Sequence, residues 1–550
     1  MRVLLISLLD DQCLGLRSIS ALLKARGHVV RLAHICNVVE TSDEDRSVRG
    51  YFSSERLPNS QDVALLSKVA QEFKPGLIGL SVYSAAVEMA ETITQAVRAV
   101  CPVPVVWGGI DPTINPERAI QIADIVCVGE GEEAAVELAD HIQAGCDYSA
   151  IANLWVRTNG SSGPVQRNPP RPLNQSLDSL PWQDVDLEDA YYIANGRRWD
   201  SRLWQGHLPG PTAWTSMYPL QSSRGCPYDC SYCPNALLRE LYGNQGFYRE
   251  RSVGSVLDEI EDRVRRYPGI ASIHFWDDVF AVRTEWLKEF SQEYPRRIGL
   301  PFTCYQHPNV INPQRVALLK HAGVAAVCLG VQSGSERIRR QIYHRNTPNR
   351  AIVEAVQLFL NAGITLFIDM IACNPDETEE DQRETLELLL ALPKGFQMPY
   401  IYDLVIFDNY PIVAALEDRG HQLPWNARHT YARLLTQPDH IFWRAIWHLA
   451  QFPSLSPDTV RSLSNDPYLR GNPEIVESLA GALLDATYHR PSGHTYKQLV
   501  SRLEREMASL HGSRLVRAAL QLRKWLRRLR KSGGRGAGGG PEVSGDRGLG

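Results

Sequence analysis

The 550-residue chain has no apolar run near the roughly 20 residues needed to cross a bilayer, which argues against a membrane-spanning helix. It has little net charge, −4 overall, so no general attraction to nucleic acid is implied and none is expected as a partner. No secretory signal is expected at the first residues. Met1–Ser7 is apolar, but it runs straight into Asp10-Asp11 with no small-residue cleavage site and reads as a first strand. Toward the C-terminus, His429, His440, His448, His489 and His494 show no metal-ligand spacing and read as ordinary core or surface residues. Eight of the eleven cysteines (Cys13, Cys36, Cys101, Cys127, Cys146, Cys304, Cys328 and Cys373) are scattered. Cys127 and Cys328 lie in apolar strand-like runs, where a free thiol packs as a small hydrophobe. Reduced thiols point to the cytoplasm.

The other three cysteines are clustered. Cys226, Cys230 and Cys233 stand in the run Arg224-Gly225-Cys226-Pro227-Tyr228-Asp229-Cys230-Ser231-Tyr232-Cys233, a C-x3-C-x2-C spacing. Three thiolates on one loop can hold three irons of a four-iron, four-sulfur cluster and leave the fourth iron open to a substrate. Gly225 and Pro227 suit a chain that wraps closely around such a core. The plainer alternative is three buried or disulfide-bonded cysteines.

A chain of this length suggests three or four domains. Residues 1–148 alternate strand and helix. Val3–Leu9, Val29–Ile35, Leu77–Val82, Val103–Trp107 and Ile125–Val128 are continuous apolar strands, and Gly15–Arg26 is an amphipathic helix ended by Gly27. Strands of this kind indicate a parallel sheet covered on both faces, hence a doubly wound, Rossmann-like α/β domain with its ligand at the carboxyl strand ends. Residues 149–211 read as a Gly- and Pro-rich linker with a hairpin tip at Asn159–Gly163. Residues 212–430 resume the alternation, with strands at Ser272–Trp276, Phe302–Tyr305, Ala325–Val331, Thr365–Ile371 and Tyr402–Phe407, a partial (β/α) barrel. Residues 431–530 look helical, and residues 531–550 are Gly-rich and expected to be disordered.

With its aromatic Tyr232 before the third cysteine, the loop resembles the signature of the radical S-adenosylmethionine (SAM) enzymes. The N-terminal glycine loops, Gly79-Leu80-Ser81 with Tyr83, Gly108-Gly109-Ile110-Asp111 and Gly129-Glu130-Gly131, resemble as an ordered set the cobalamin-binding domain found before many radical SAM cores. That resemblance implies cobalamin contacts from Gln12, Gly15, Ser81, Tyr83, Gly108, Gly109, Asp111, Gly129, Glu130 and Gly131. Domains that ligate cobalt with imidazole carry Asp-x-His-x-x-Gly after the first strand. Here Gln12 holds the histidine slot in Asp10-Asp11-Gln12-Cys13-Leu14-Gly15, and a side-chain amide is a poor cobalt ligand. The alternative is a doubly wound domain that has lost its cofactor.

For SAM, the resemblance implies Tyr232, then Asp277 and Asp278 at a strand end. A helix N-cap by Asp278 fits equally well. It implies Gln332 and Ser333 in Leu329-Gly330-Val331-Gln332-Ser333-Gly334, Arg345 for the SAM carboxylate, and Asp369 for a ribose hydroxyl. Asn374-Pro375-Asp376-Glu377-Thr378 departs from the usual Gly-x-Pro-Gly-Glu-Thr. The family reading is a cobalamin-dependent radical SAM enzyme with a [4Fe-4S] cluster, SAM and cobalamin. It would cleave SAM reductively to a 5'-deoxyadenosyl radical and methylate an unactivated carbon or a phosphorus of a small or natural-product substrate. An electron donor such as flavodoxin or ferredoxin is implied. The alternatives are radical oxidation, cyclisation or ring rearrangement without methyl transfer, and a non-catalytic cobalamin or iron–sulfur protein. A methylthio-transferring enzyme is disfavoured, because the N-terminal domain lacks a second three-cysteine set. Finally, Arg514–Lys531 carries eight Lys or Arg, no acid and a leucine stripe. A terminal helix packed by that stripe, with solvated charges, is favoured over one lying on an anionic membrane.

Overall fold

The computed structural model describes residues 1–10, 12–36, 59–158, 163–185, 190–194, 196–200, 216–423, 431–432 and 438–488. The basic segment Arg514–Lys531, the Gly-rich tail, His429, His489, His494 and most of the 159–163 hairpin tip lie outside them. The chain divides into two compact units, Met1–Leu435 and a smaller one from Thr436 on.

Five apolar strands form the centre of the first sheet: β1 (Arg2–Leu8), β2 (Val29–Ile35), β3 (Leu77–Ser81), β4 (Val105–Gly108) and β5 (Ile125–Cys127). They run parallel. Successive side chains of β1 enter opposite cores. Leu4, Ile6 and Leu8 pack under helices Ser60–Phe73 and Val87–Val100. Val3 and Leu5 pack under helices Leu14–Ala25 and Glu132–Ala144. This two-sided burial is why the strands read as unbroken apolar runs. Helix Ser60–Phe73 starts at a reciprocal cap, in which Asn59 accepts from the Asp62 amide and Asp62 from the Asn59 amide.

Residues 149–211 are more than a connector. β6 (Leu154–Arg157) and β7 (Val165–Arg167) extend one edge of the sheet antiparallel. β8 (Ala190–Ala194) and β9 (Arg197–Asp200) extend the other, giving the order β7-β6-β5-β4-β3-β1-β2-β8-β9. Composition hid them because they are short and sit among Gly, Pro and Asn.

The second sheet has six parallel strands, curled as a half-barrel, in the order β10-β13-β14-β15-β16-β17. β10 is Met217–Leu220, and the small hairpin of β11 (Ser223–Arg224) and β12 (Arg249–Glu250) stands beside it. The remaining strands are β13 (Ser272–Phe275), β14 (Phe302–Gln306), β15 (Val324–Gln332), β16 (Thr365–Ala372) and β17 (Tyr402–Asp403). The strand expected over Tyr402–Phe407 ends at Asp403. The Leu404 amide still bonds Ala372, and Ile406 then leaves to pack with Ile338, Ile342 and Tyr343. The smaller unit holds helices Pro438–Leu449, Pro457–Ser464, Pro467–Gly471 and Pro473–Tyr488, each opened by a proline with no amide hydrogen to leave unpaired. Its core includes Trp443, Trp447 and Leu483, with His440 and His448 buried among them. No described helix is long and apolar enough to cross a membrane.

Candidate active site

The three-cysteine loop runs between β11 and helix Pro234–Tyr242. It is anchored from below on both sides. Asp277, at the end of β13, accepts hydrogen bonds from the Ser222 amide and from the Ser222 and Ser223 hydroxyls. In the middle of the loop, the Ser231 hydroxyl donates to the Ile342 carbonyl and the Ser231 amide to the Tyr343 carbonyl. Tyr232 packs edge-on to Tyr343, with ring centroids 4.9 Å apart. Gly225 has φ +82°, and a Cβ there would collide with the Phe247 carbonyl, so only glycine lets the chain enter the loop.

All three cysteines are free thiols. Burial pushes Cys226 and Cys233 up to about 12. Asn235 Nδ2 lies 3.6 Å from the Cys233 sulfur, and Arg345 Nη1 lies 3.6 Å from that of Cys230. Among the described residues, no three His, Cys, Asp or Glu side chains converge closely enough to hold a single metal ion. A cubane asks for something different, one thiolate per iron, so its ligands stand apart. Neighbouring donors beside two of the sulfurs and a tightly held loop fit such a cluster.

Around this loop the expected SAM residues divide into two groups. Arg345 is buried, and its second guanidinium nitrogen donates to the Gly330 carbonyl. Gln332, at positive φ after a register shift in β15, lies over the same Gly330 beside Arg345. Asp278 opens into a cavity, although the surrounding protein still raises its carboxyl against a hydrogen bond from Asn235. Asp369 faces Cys328, and burial raises its carboxyl. Of these four, Asp278 lines the cavity, and Arg345 keeps its buried Nε without a partner.

Asp277 and Ser333 have other tasks. The Asp277 carboxylate is spent on Ser222 and Ser223; burial pushes it up to about 6 against those bonds. Ser333 is fully buried, and its hydroxyl accepts from the Ser335 amide. Both side chains brace strand-end turns. Tyr232, with its ring in the core next to Tyr343, anchors the loop.

The cavity into which Asp278 opens has a volume of about 780 Å³, within the range of small-molecule and cofactor pockets. Gln12, Gly15, Ser81, Gly108, Gly109, Gly129, Glu130 and Gly131 line it, and so do Arg224, Gly225, Asn235 and Trp276 from the cluster side. Tyr83 and Asp111 do not. Asp111 is completely buried and paired with Arg118 and Asn115. Sequence alone pointed to the strand-end glycines. It missed an apolar arm lined by Leu5, Ile19, Leu23 and Leu138, which continues the cavity behind the strand ends. Those residues looked like ordinary core.

The two halves of the wall are tied by charge. Arg249 makes a two-pronged pair with Glu130 at 2.7 and 3.1 Å. Arg224, two residues before Cys226, reaches Glu132 at 2.6 Å and Glu130 at 3.4 Å. Burial alone would raise the Glu130 carboxyl, but Arg249 and Arg224 outweigh it and hold it below the usual range. Gly129 has φ +89°, and a Cβ there would fall on the Tyr242 hydroxyl. That hydroxyl accepts from the Glu130 amide at 3.0 Å. The side chain of Glu130 therefore docks the two domains. Arg224 carried a signal, its place beside the cluster loop, whereas Arg249 and Tyr242 carried none.

An uncharacterized methyltransferase of Pyrococcus horikoshii is 27% identical over 372 residues, 66% of this chain and 74% of the relative. An anaerobic magnesium-protoporphyrin IX monomethyl ester cyclase of Rubrivivax gelatinosus is 24% identical over 57% of this chain, which spans only 54% of the cyclase's length. The fold is like that of the radical SAM methyltransferase TsrM from Kitasatospora setae, solved with cobalamin and a [4Fe-4S] cluster bound. The TM-score is 0.59 at 18% identity, over 96% of this chain and 99% of that one. Residues 220–389 match the radical SAM superfamily and residues 7–139 the B12 binding domain. The chain thus carries a B12 binding domain in front of a radical SAM half-barrel.

Proposed function

We propose that this cobalamin-dependent radical SAM enzyme transfers a methyl group to an unactivated carbon or to phosphorus in a small molecule, with electrons from a flavodoxin- or ferredoxin-like donor. The observation that carries the reading is the single cavity walled by the B12-domain glycine loops on one side and by Gly225, Asn235, Trp276 and Asp278 on the other. A methyl carrier held there would adjoin the cluster loop. The chemistry supplied by the bound groups is reductive cleavage of SAM and donation of a methyl group.

The chain's own residues hold, orient and exclude water. Cys226, Cys230 and Cys233 would ligate the cluster. Arg345 stands beside the Cys230 sulfur and offers a fork for a carboxylate. Asp278 supplies an acceptor for an ammonium group. Leu5, Ile19, Leu23 and Leu138 would bury an apolar part of cobalamin. The Arg224 and Arg249 pairs to Glu130 and Glu132 keep the two walls in register.

Two observations favour methyl transfer: the methyltransferase name of the Pyrococcus relative and the likeness in fold to another methyltransferase over nearly the whole chain. The cyclase relative favours a second reading, ring formation without methyl transfer. Anaerobic reconstitution with cluster, cobalamin and SAM separates them. Methyl transfer yields both 5'-deoxyadenosine and S-adenosylhomocysteine, radical chemistry alone yields only the first, and a binding protein yields neither.

A further inference from the structure

Gln12 stands where an imidazole ligand would be, and its side chain is not loose. Its Oε1 accepts from the indole Nε1 of Trp276 at 3.0 Å. Trp276 comes from the other domain, directly after β13 and directly before Asp277 and Asp278. Its ring packs edge-on to His274, with centroids 4.5 Å apart, and tilted on Tyr305 at 5.8 Å. Gln12 Nε2 is buried and has no hydrogen-bond partner, and both Gln12 and Trp276 line the cavity.

The amide orientation is fixed by chemistry. An indole N–H can only donate, so it must meet the oxygen of the amide. The oxygen is also the one atom of glutamine able to ligate a metal through a lone pair. That bond takes one of the oxygen's two lone pairs and turns the oxygen toward the indole, so Nε2 is the atom left without a partner, and a buried donor without an acceptor is costly.

We propose that Trp276 is a positioning residue that fixes Gln12 as a hydrogen-bond donor at the cobalamin cavity, so that residue 12 receives an oxygen of the bound cofactor or of a water on cobalt and does not ligate the metal. The proposal rests on the cobalamin reading above. The barrel domain thereby sets the polarity of a residue in the cobalamin domain through one indole hydrogen.

A double-mutant cycle on the full-length chain tests it, read as the dissociation constant of hydroxocobalamin by equilibrium dialysis. Trp276→Phe keeps a ring and removes the donor, and Gln12→Leu removes the amide. Each should weaken binding about five- to tenfold, the equivalent of one hydrogen bond. The double variant should be no weaker than Gln12→Leu alone. Equal effects of Trp276→Phe in both backgrounds would mean that the indole acts by packing, and would overturn the proposal. Wild-type protein that binds no cobalamin would overturn the functional reading together with it. Reconstituted iron content reports whether each variant is folded.

The electron paramagnetic resonance spectrum of bound cob(II)alamin gives a second readout. Wild type should resemble a form without a protein ligand, and Trp276→Phe should alter it by freeing the amide oxygen. Line broadening in ¹⁷O-water assigns the acceptor to a water on cobalt; its absence assigns it to an oxygen of the cofactor. A wild-type spectrum showing ligation by the Gln12 amide, lost in Gln12→Leu, would contradict the proposal.

Discussion

The two walls of the cavity are built on opposite principles. On the B12-domain side Gly15, Gly108, Gly109, Gly129 and Gly131 bring backbone to the cavity between apolar side chains such as Leu5, Ile19 and Leu138, and at Gly109 and Gly129 a Cβ would collide with the packed protein. On the barrel side polar and aromatic side chains such as Arg224, Asn235, Trp276 and Asp278 line it, and the buried polar groups behind them are spent on bracing. Asp277 holds Ser222 and Ser223, Ser333 holds a turn, and Arg345 divides its donors between Gly330 and Cys230. A wall of glycines works by leaving room, whereas a wall of polar groups must first be held still. The difference predicts that changes on one side act through shape and changes on the other through bonds.

The largest effect should come from the barrel side. Replacing Cys226, Cys230 and Cys233 together with Ala should abolish nearly all reconstituted iron while cobalamin binding persists. A triple variant that keeps about four irons per chain would refute the assignment of this loop.

Gly129→Ala comes next and attacks the other wall. It adds positive-φ strain and a collision with the Tyr242 hydroxyl, together about 2–4 kcal/mol. Tyr242→Phe in the same chain removes the obstructing oxygen and should return part of that stability. Thermal unfolding with and without cobalamin measures both. An unaffected Gly129→Ala protein would show that the domains do not dock as described.

Much of this contrast was legible in the sequence. The unbroken apolar strands gave away the doubly wound sheet, and the C-x3-C-x2-C spacing gave away the cluster loop. The glycines were visible only as an ordered set, because any single αβ loop uses glycine. What stayed hidden depended on which atoms meet in space. Asp277 and Asp278 are adjacent and chemically alike, yet one is turned inward to two serines and the other opens to the cavity. Asp111, in a glycine-rich loop that looked like a ligand site, is completely buried and gives one carboxylate oxygen to Arg118 and Asn115. Strands β6 to β9 were masked by turn-rich composition, although pairing along the edges of the first sheet holds them.

Arg224→Ala probes the seam between the walls. It leaves Glu132 and part of Glu130 without a cation, at a cost of about 1–3 kcal/mol. Cobalamin should bind more weakly, and iron content should hardly change. Loss of iron with unchanged cobalamin affinity would place Arg224 in the cluster loop alone.

A pH-dependent effect concerns Glu377 in the barrel, where burial pushes the carboxyl up to about 8. That lies above the unfolded value of about 4.3. The folded state therefore holds a proton that the unfolded state releases. This contribution to stability is complete below about pH 4 and is lost as pH rises through about 8. Glu377→Gln keeps the neutral shape and should flatten the slope in that window. Identical pH profiles for variant and wild type would count against a neutral buried carboxyl.

The central claim is that one cavity sets cobalamin beside the cluster, and spin interaction tests it most directly. Cob(II)alamin is bound to the reconstituted chain, and its electron paramagnetic resonance spectrum is recorded with the cluster oxidised and then reduced. The account predicts broadening and faster relaxation of the cobalt signal on cluster reduction, absent in the variant with Cys226, Cys230 and Cys233 changed to Ala. A cobalt signal indifferent to the state and presence of the cluster would contradict it.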